Sequence, residues 1–274
     1  MRRRPYELKA YVSAASRGLA LAAAKALARE GAELAISSRN ADRLDQAKSS
    51  ILTEMPNAKV LTIAADLSTA EGQDHVLKTL DTNSFFPDVF VCSAGHAARK
   101  RLEEIDRLEY GSGVAMILDQ AVFTTRAFLP RMASRGWGRI IYVSSVHAKY
   151  PSVLPPEFFV SSIARCGLLA LTKSIQQQYA ATGIAVFSVA LGYVDTPMLR
   201  NAALERSVDS DEPGALDEAR WSQRYADWVR SIPAGRIADV SEFGDLVGFL
   251  VSDAADYLNG QVFNFSGGLD GGII

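Results

Sequence analysis

The chain has 274 residues, of which 48% are hydrophobic, and its formal net charge is −2 at pH 7. That is enough apolar material for one well-packed domain, and the charge gives no reason to expect nucleic acid or an anionic membrane as a partner. No apolar run reaches the roughly 18 residues that a membrane-spanning helix needs. The two cysteines, Cys92 and Cys166, lie in apolar segments without paired spacing, which favours reduced, buried thiols in a cytoplasmic protein.

Strand-like and helix-like segments alternate along the whole chain. Short runs rich in β-branched residues predict strands at Lys9–Val12, Glu33–Ser38, Lys59–Ala64, Val89–Cys92, Arg139–Val143, Ile184–Leu191 and Gln261–Phe265. Helical spacing of apolar residues predicts helices at Ser16–Glu30, Ala41–Thr53, Ala70–Leu80, Leu108–Ala133, Phe159–Thr182 and Val240–Ser252. We therefore expect an α/β fold over residues 1–274: one domain with a doubly wound parallel sheet of about seven strands and helices on both faces.

A polar, charged stretch at about 200–231 interrupts the alternation between strands and helices. Insertions of this length after a strand are more often functional lids than second domains, so we expect a lid over a substrate pocket. Trp221, Tyr225 and Trp228 recur near helical spacing within it. These rings either line a hydrophobic pocket or anchor the lid helix to the core.

The most informative stretch is the fifth predicted strand and the helix that follows it. The strand runs into Ser145, and the helix carries Ser161 and Arg165 one turn apart. This stretch, together with Gly167–Ser174 and Gly192–Pro197, resembles the short-chain dehydrogenase/reductase family, in particular its 3-oxoacyl-[acyl-carrier-protein] reductase-like branch. The resemblance implies a Rossmann-like fold and hydride transfer between a nicotinamide cofactor and a ketone or secondary alcohol.

The resemblance also implies a catalytic tetrad, of which the chain retains one member. Ser145 matches the serine that orients the substrate carbonyl, whereas Ser161 stands where the family has tyrosine and Arg165 where it has lysine. Ile117 falls at about the position of the family's asparagine. Because an aliphatic hydroxyl is far less acidic than a phenol, Ser161 needs a second group to exchange protons. Tyr150, on the predicted loop after Ser145, is the first candidate.

Three other side chains at predicted strand ends could exchange that proton: His96, His147 and Tyr193. A lone histidine or tyrosine there is more often a packing or surface residue. Ser145 and His147 do not predict a hydrolase, because the chain has no G-x-S-x-G nucleophile elbow. No metal site is predicted.

The dinucleotide site is expected at Ser13–Ala20, between the first strand and the first helix, where helix N–H groups can bind a pyrophosphate. The family pattern there is Thr-Gly-x-x-x-Gly-x-Gly. This chain keeps Gly18 and has Ala14 and Ala20 at the other two glycine positions. Ala14 is unfavourable if that position requires a positive φ, which a Cβ disfavours.

The resemblance places further cofactor contacts at the ends of the other strands. Arg17 and Arg39 lie in two turns where phosphate groups of the cofactor are expected. They favour NADP(H) over NAD(H), since a guanidinium can pair with a 2′-phosphate. Asp66 matches an adenine-contacting aspartate, although a place near a helix N-terminus is an equally ordinary role. The expected cofactor contacts are Ser13, Ser16, Arg17, Gly18, Leu19, Arg39, Asp66, Leu67, Ser93, Ala94, Gly95, Arg165, Val194 and Thr196.

Two predicted helices have broad apolar faces that could contact another subunit: Leu108–Ala133 and Phe159–Thr182. The resemblance implies that they join subunits into a homodimer or homotetramer, although both could simply cover the sheet. A small carbonyl or alcohol compound is the expected substrate. Two alternatives to an NADP(H)-dependent oxidoreductase stay open: a pseudoenzyme that binds cofactor or metabolite as a partner subunit, and a non-redox reaction in the same pocket.

Overall fold

Seven strands form one parallel sheet, in the order β3-β2-β1-β4-β5-β6-β7. The computed structural model describes residues 7–93, 95, 97–151, 156–203 and 218–270. The strands are β1 (Lys9–Val12), β2 (Glu33–Ser38), β3 (Val60–Ala64), β4 (Val89–Cys92), β5 (Gly138–Ser145), β6 (Ile184–Leu191) and β7 (Val262–Phe265). The predicted doubly wound, Rossmann-like sheet is thereby confirmed.

Helices cover both faces of this sheet. They are α1 (Gly18–Arg29), α2 (Ala41–Glu54), α3 (Ala70–Thr82), α4 (Arg107–Val114), α5 (Gln120–Arg135), α6 (Val146–Lys149), α7 (Phe159–Tyr179), α8 (Pro197–Ala203), α9 (Glu218–Ser231) and α10 (Val240–Val251). Among the described residues, no helix is both long enough and apolar enough to cross a bilayer.

The central strands are buried on both sides, which explains their continuous apolar sequences. Every residue of β4 is buried, as are the first seven of β5 and of β6. One face of the sheet packs against α1, α2 and α10, with Leu27 and Phe243 in that core. The other face packs against α3, α5 and α7, with Phe128 and Leu168 among its buried residues.

The single helix expected over Leu108–Ala133 is interrupted by a π-helical turn at Ala115–Asp119, between α4 and α5. Ile117 lies in this turn and is fully buried. A mid-helix π turn changes the direction in which side chains point and is frequent near functional sites. The apolar periodicity could not reveal it, because one extra residue in a turn barely disturbs the spacing.

Two further expectations differ from the structure. The segment after Ser145 begins with the short helix α6 rather than a loop, so it turns back at once over the strand end. The expectation that both cysteines are buried was wrong for Cys166, which is exposed on α7, whereas Cys92 is buried. An apolar helix sequence does not tell which of its faces meets the sheet.

The position of α7 depends in part on a buried hydrogen bond between the hydroxyls of Thr172 and Ser188 on β6, at 2.7 Å. Replacing Thr172 by Val should lower the free energy of unfolding by about 1–3 kcal/mol, because Ser188 then loses a partner inside the protein. Thr82→Val is a matched control, since the hydroxyl of Thr82 bonds the Lys78 carbonyl at an exposed site; its effect should stay within about 0.5 kcal/mol. Urea unfolding measures the free energy of unfolding of both variants. Equal losses in Thr172→Val and Thr82→Val would contradict this role of Thr172.

Candidate active site

The strand order reverses between β1 and β4, and in open α/β sheets ligands bind beyond the carboxyl ends of the strands at such a point. Here the first turns after β1 and β4 are joined by Ser13. Its hydroxyl accepts a hydrogen bond from the backbone N–H of Ser93 (3.1 Å) and donates one to the Ser93 carbonyl (3.3 Å). Both residues are buried. The two loops therefore form one rigid edge of a crevice.

Beside this edge, four side chains from β5, α6 and α7 form a continuous hydrogen-bonded chain. Ser145 Oγ lies 2.6 Å from His147 Nδ1, and Ser161 Oγ lies 3.4 Å from His147 Nε2. Arg165 Nε donates to Ser161 Oγ at 3.1 Å. The structure thus brings together three of the four predicted catalytic residues and adds His147 between the two serines.

Local structure explains this arrangement. The turn of helix α6 starts immediately after Ser145 and folds His147 back beside it. On α7, Ser161 and Arg165 are four residues apart and therefore share one face of the helix. The ring of Phe158, just before α7, packs against the imidazole with ring centroids 6.1 Å apart. His147 is consequently 5% exposed.

Arg165 holds the ends of two strands as well as Ser161. Its guanidinium donates to the Val143 carbonyl at 2.8 Å and to the Gly95 carbonyl at 3.4 Å. All three acceptors are neutral oxygens, so the positive charge is not cancelled by a carboxylate among its described hydrogen bonds. Removal from water lowers the pKa of Arg165 to about 10, and the guanidinium stays charged at pH 7.

The charge of Arg165 and burial together shift the pKa values of neighbouring groups. Burial first, and then the positive charge of Arg165, lower the pKa of His147 to about 4. The imidazole is therefore neutral at pH 7. Burial raises the pKa of the Cys92 thiol, at the end of β4, to about 12.

The turn after β1, where the dinucleotide site is expected, has two residues with a left-handed backbone. Ala14 has φ 54° and Gly18 has φ 59°. A non-glycine residue in the left-handed region costs roughly 1–2 kcal/mol, so the surrounding contacts must hold Ala14 in place. Helix α1 then starts without a side-chain cap and without an acidic residue in its first turn. Its first N–H groups and its dipole are suited to an anion.

Other predicted cofactor contacts converge on the same crevice. A Cβ built on Gly18 would lie 3.6 Å from Thr196 Cγ2, so the turn after β6 lies against the turn after β1. Ser38 at the end of β2 donates to Ser16 at 3.0 Å. These contacts join the carboxyl ends of β1, β2 and β6, as a bound dinucleotide would require.

Asp66 and Arg39 lie within electrostatic reach of each other. Burial acts to raise the pKa of Asp66, but hydrogen bonds from the backbone and hydroxyl of Ser68 and the charge of Arg39 lower it overall. Asp66 is thus ionised and shapes the turn before α3. Both ordinary interpretations of this aspartate, adenine contact and turn residue, are compatible with that geometry.

Not every predicted residue offers its side chain to the crevice. Leu67 and Val194 are buried, and Leu19 packs against the core beside α1. Ala94 and His96 lie outside the described residues, as does the middle of the predicted lid, at 204–217. Arg17 is the residue before α1 and has an extended backbone.

Tyr150 and Tyr193, two candidate proton donors, have surroundings of their own. Tyr150 follows α6 and is partly exposed, with the ammonium of Lys149 5.5 Å from its ring centre. Tyr193 stacks on Trp228 of α9 with centroids 5.2 Å apart, and burial raises its pKa. Trp221 contacts Trp228 edge-on. The lid aromatics thus pack α9 against the turn after β6.

Sequence reasoning ranked His147 below Tyr150, although His147 is the ring that bridges the two serines. The available signal was its spacing, two residues after a strand-terminal serine. That spacing brings a side chain back to the serine only if a helical turn follows directly, and the segment was predicted to be a loop.

Comparison with known proteins finds relatives that match nearly the whole chain. A family model described as Enoyl-(Acyl carrier protein) reductase matches residues 13–270. The gluconate 5-dehydrogenase of Gluconobacter oxydans is 29% identical over 264 residues, covering 95% of this chain and 94% of the relative.

Two solved structures are informative about the site. The L-sorbose reductase of Gluconobacter frateurii, complexed with NADPH and L-sorbose, superposes with a TM-score of 0.87 at 25% identity and covers 100% of both chains. An NADPH-bound short-chain oxidoreductase of Pseudomonas aeruginosa, described as containing an atypical catalytic center, has a TM-score of 0.81 at 26% identity. It covers 97% of this chain and 98% of that one. The fold of this chain is therefore similar to that of a protein described as having an atypical catalytic center.

The lowered pKa of His147 predicts a pH dependence of stability. Below about pH 6.5 the unfolded chain binds a proton at this residue that the folded protein does not bind until near pH 4, so falling pH favours unfolding in that window. Between pH 7 and pH 5 this group should remove about 2 kcal/mol of unfolding free energy. Urea unfolding at pH 7 and pH 5 should show a smaller loss of unfolding free energy for His147→Gln than for the unsubstituted protein.

His75→Gln is the matched control, because His75 lies on the exposed side of α3. Its pH dependence should follow that of the unsubstituted protein. An unchanged pH dependence in His147→Gln would mean that the imidazole is not shielded as the structure describes.

Proposed function

The chain belongs to the short-chain dehydrogenase/reductase family of oxidoreductases, and we propose that it is an NADP(H)-dependent enzyme that interconverts a ketone and a secondary alcohol. The observation that carries this proposal is that the left-handed turn at Ala14–Gly18 opens on the same sheet edge as the Ser145–His147–Ser161–Arg165 chain. A dinucleotide site and a polar site for a carbonyl oxygen thus adjoin each other.

The cofactor would be held by groups from five strand ends. The N–H groups at the start of α1 would bind the pyrophosphate, and Thr196 lies beside Gly18 to contact the nicotinamide end. Arg165, which occupies the family's lysine position, would hold the ribose. When bound, the nicotinamide ring would exchange a hydride with the substrate carbon.

The proposed preference for NADP(H) over NAD(H) rests on two arginines in the turns where phosphate groups of the cofactor are expected. Arg39 follows β2, where an acidic residue would instead accept the ribose hydroxyls of NAD. Its positive charge contributes to the lowered pKa of Asp66. A 2′-phosphate would compete for the same guanidinium, and Arg17 would add a second positive charge beside it.

The substrate would place its oxygen near Ser145 and Ser161. In the structure Ser145 donates to the Leu191 carbonyl at 3.1 Å. To orient a substrate carbonyl, this hydroxyl would turn from Leu191 toward the substrate. Relatives named for gluconate and L-sorbose support small polyhydroxy compounds as first substrates to test. A 3-oxoacyl compound, expected from the sequence, belongs in the same panel.

Apolar side chains on α5 and α7 are partly exposed to solvent. Phe123 on α5 and Ile163 on α7 are about half exposed, at 49% and 52%. Exposed apolar side chains on these two helices support a homodimer or homotetramer that covers them. A cytoplasmic location is proposed on the two free cysteines.

Calorimetric titration tests the cofactor. We expect NADPH to bind more tightly than NADH, and Arg39→Ala to weaken NADPH by roughly 10- to 100-fold while changing NADH by less than about 2-fold, because only the 2′-phosphate loses a charged hydrogen bond. Arg29→Ala is the control, since Arg29 pairs with Glu54 at the other end of α1. Equal weakening of both dinucleotides would contradict the role given to Arg39.

Turnover tests the reaction class. With NADPH and a panel containing L-sorbose and a 3-oxoacyl thioester, or with NADP and gluconate, we expect stoichiometric change in nicotinamide absorbance and in product. Ser145→Ala should lower kcat by roughly 100-fold or more with little change in NADPH affinity, because it removes an oxygen-binding hydroxyl.

Cofactor binding without turnover across the whole panel would favour the pseudoenzyme alternative. Product formation without any change in nicotinamide absorbance would favour a non-redox reaction in the same pocket.

A further inference from the structure

One set of directions makes every contact around His147 a hydrogen bond. Ser145 uses its single proton on the Leu191 carbonyl, which can only accept. At 2.6 Å, His147 Nδ1 must therefore donate to Ser145 Oγ. A neutral imidazole carries one N–H, so Nε2 has a free lone pair that points at Ser161.

The other end of the chain has the complementary polarity. A guanidinium can only donate, so Arg165 Nε–H points at the oxygen of Ser161. The Ser161 proton is then directed toward His147 Nε2. Ser161 is thus a hydroxyl with a base on its proton side and a fixed cation on its oxygen side.

From this geometry we propose that Ser161 and His147 act as a proton relay, in which Ser161 exchanges a proton with the substrate oxygen and His147 exchanges one with Ser161. The inference rests on the proposed oxidoreductase function and names the group that replaces the family's tyrosine. In this assignment Tyr150 is not the proton donor. His147 is a positioning and relay residue, because it acts through Ser161.

The step balances in both directions. In alcohol oxidation, the substrate O–H proton passes to Ser161 Oγ while the Ser161 proton passes to His147 Nε2; a nicotinamide, when bound, would accept the hydride from the carbinol carbon. In ketone reduction, the His147 imidazolium returns its Nε2 proton to Ser161, whose proton goes to the carbonyl oxygen. Arg165 stabilises the negative charge that develops on Ser161 between the two transfers.

A hydroxyl paired with a histidine is a known way to make a weak acid reactive, because the imidazole removes the proton as the oxygen reacts. Partial burial helps, since the charge of Arg165 acts on Ser161 at 3.1 Å with less screening than in open water. The 3.4 Å separation of Ser161 and His147 is long for a hydrogen bond. Catalytic hydrogen bonds are often long without ligands and shorten when substrate closes the site.

A purely structural histidine is the competing interpretation. In that case His147 would only fill the space between Phe158 and α6, and any ring or amide of similar size would serve. Across the described residues, the charged group that acts on His147 is Arg165 of α7, its hydrogen-bond partners are the hydroxyls of Ser145 and Ser161, and its ring packs against Phe158. The two interpretations therefore differ in proton chemistry and not in packing.

Nuclear magnetic resonance tests the tautomer without any turnover. The chain has three histidines, so long-range proton–nitrogen spectra of the full-length protein can be assigned with His147→Gln. We expect a neutral His147 with its proton on Nδ1 at pH 7, and a change at Nε2 but not at Nδ1 in Ser161→Ala. A proton on Nε2, or an imidazolium at pH 7, would overturn the relay.

Kinetics test the proton transfer with a substrate found by the panel. In the reductive direction, kcat/KM should fall by about tenfold per pH unit above about pH 5, because the His147 imidazolium, whose pKa is lowered to about 4, becomes scarce. His147→Gln should lower kcat by roughly 100-fold or more and flatten this profile, with the affinity for NADPH and the melting temperature held close to those of the unsubstituted protein. Ser161→Ala combined with His147→Gln should be no slower than the slower single variant.

Tyr150→Phe is the matched control and should keep both the rate and the pH profile. His147→Gln with an unchanged kcat and an unchanged profile would overturn the relay and leave the proposed oxidoreductase standing. Absence of turnover by the unsubstituted protein across the panel would end the proposed function, and the relay with it.

Discussion

The site depends on one cation held by neutral oxygens. Arg165 donates to the Val143 and Gly95 carbonyls and to the hydroxyl of Ser161. It therefore ties the ends of β4 and β5 to α7 and leaves its charge available to whatever binds there. The same charge helps to keep the neighbouring imidazole neutral. A lysine could supply the charge but not three fixed donors in one plane, so arginine is not a conservative replacement here.

Ser161 and Arg165 stand where the family has tyrosine and lysine, and a serine side chain is too short and too weakly acidic to take over from a phenol by itself. Helix α6 brings the imidazole of His147 to the other side of Ser161. In the proposed relay, hydroxyl and imidazole would therefore share the role of the phenol across two elements. Phe158 and the strand end of β5 hold the imidazole in place.

The turn after β1 tolerates the replacement of a family glycine by Ala14. Ala14 takes a left-handed backbone although its Cβ disfavours it. The hydrogen bonds between Ser13 and Ser93, and between the Ala15 N–H and the Ser37 carbonyl, hold the turn to both neighbouring strands. Tertiary contacts of this kind can offset a local cost of about 1–2 kcal/mol. The lost glycine alone is therefore no argument against a bound dinucleotide.

The sequence by itself determined the sheet, its parallel strands and the ends of most elements. Continuous apolar runs and period-3.6 apolar patterns record burial directly, and alternating strands and helices leave few topologies. It also identified Ser145, Ser161 and Arg165 as candidates, through resemblance to a family. Only the tertiary structure decided that His147 lies between the two serines, that Ala14 has a positive φ, and that Cys166 is exposed. These properties depend on distances between elements and on the direction of short turns, which residue spacing does not encode.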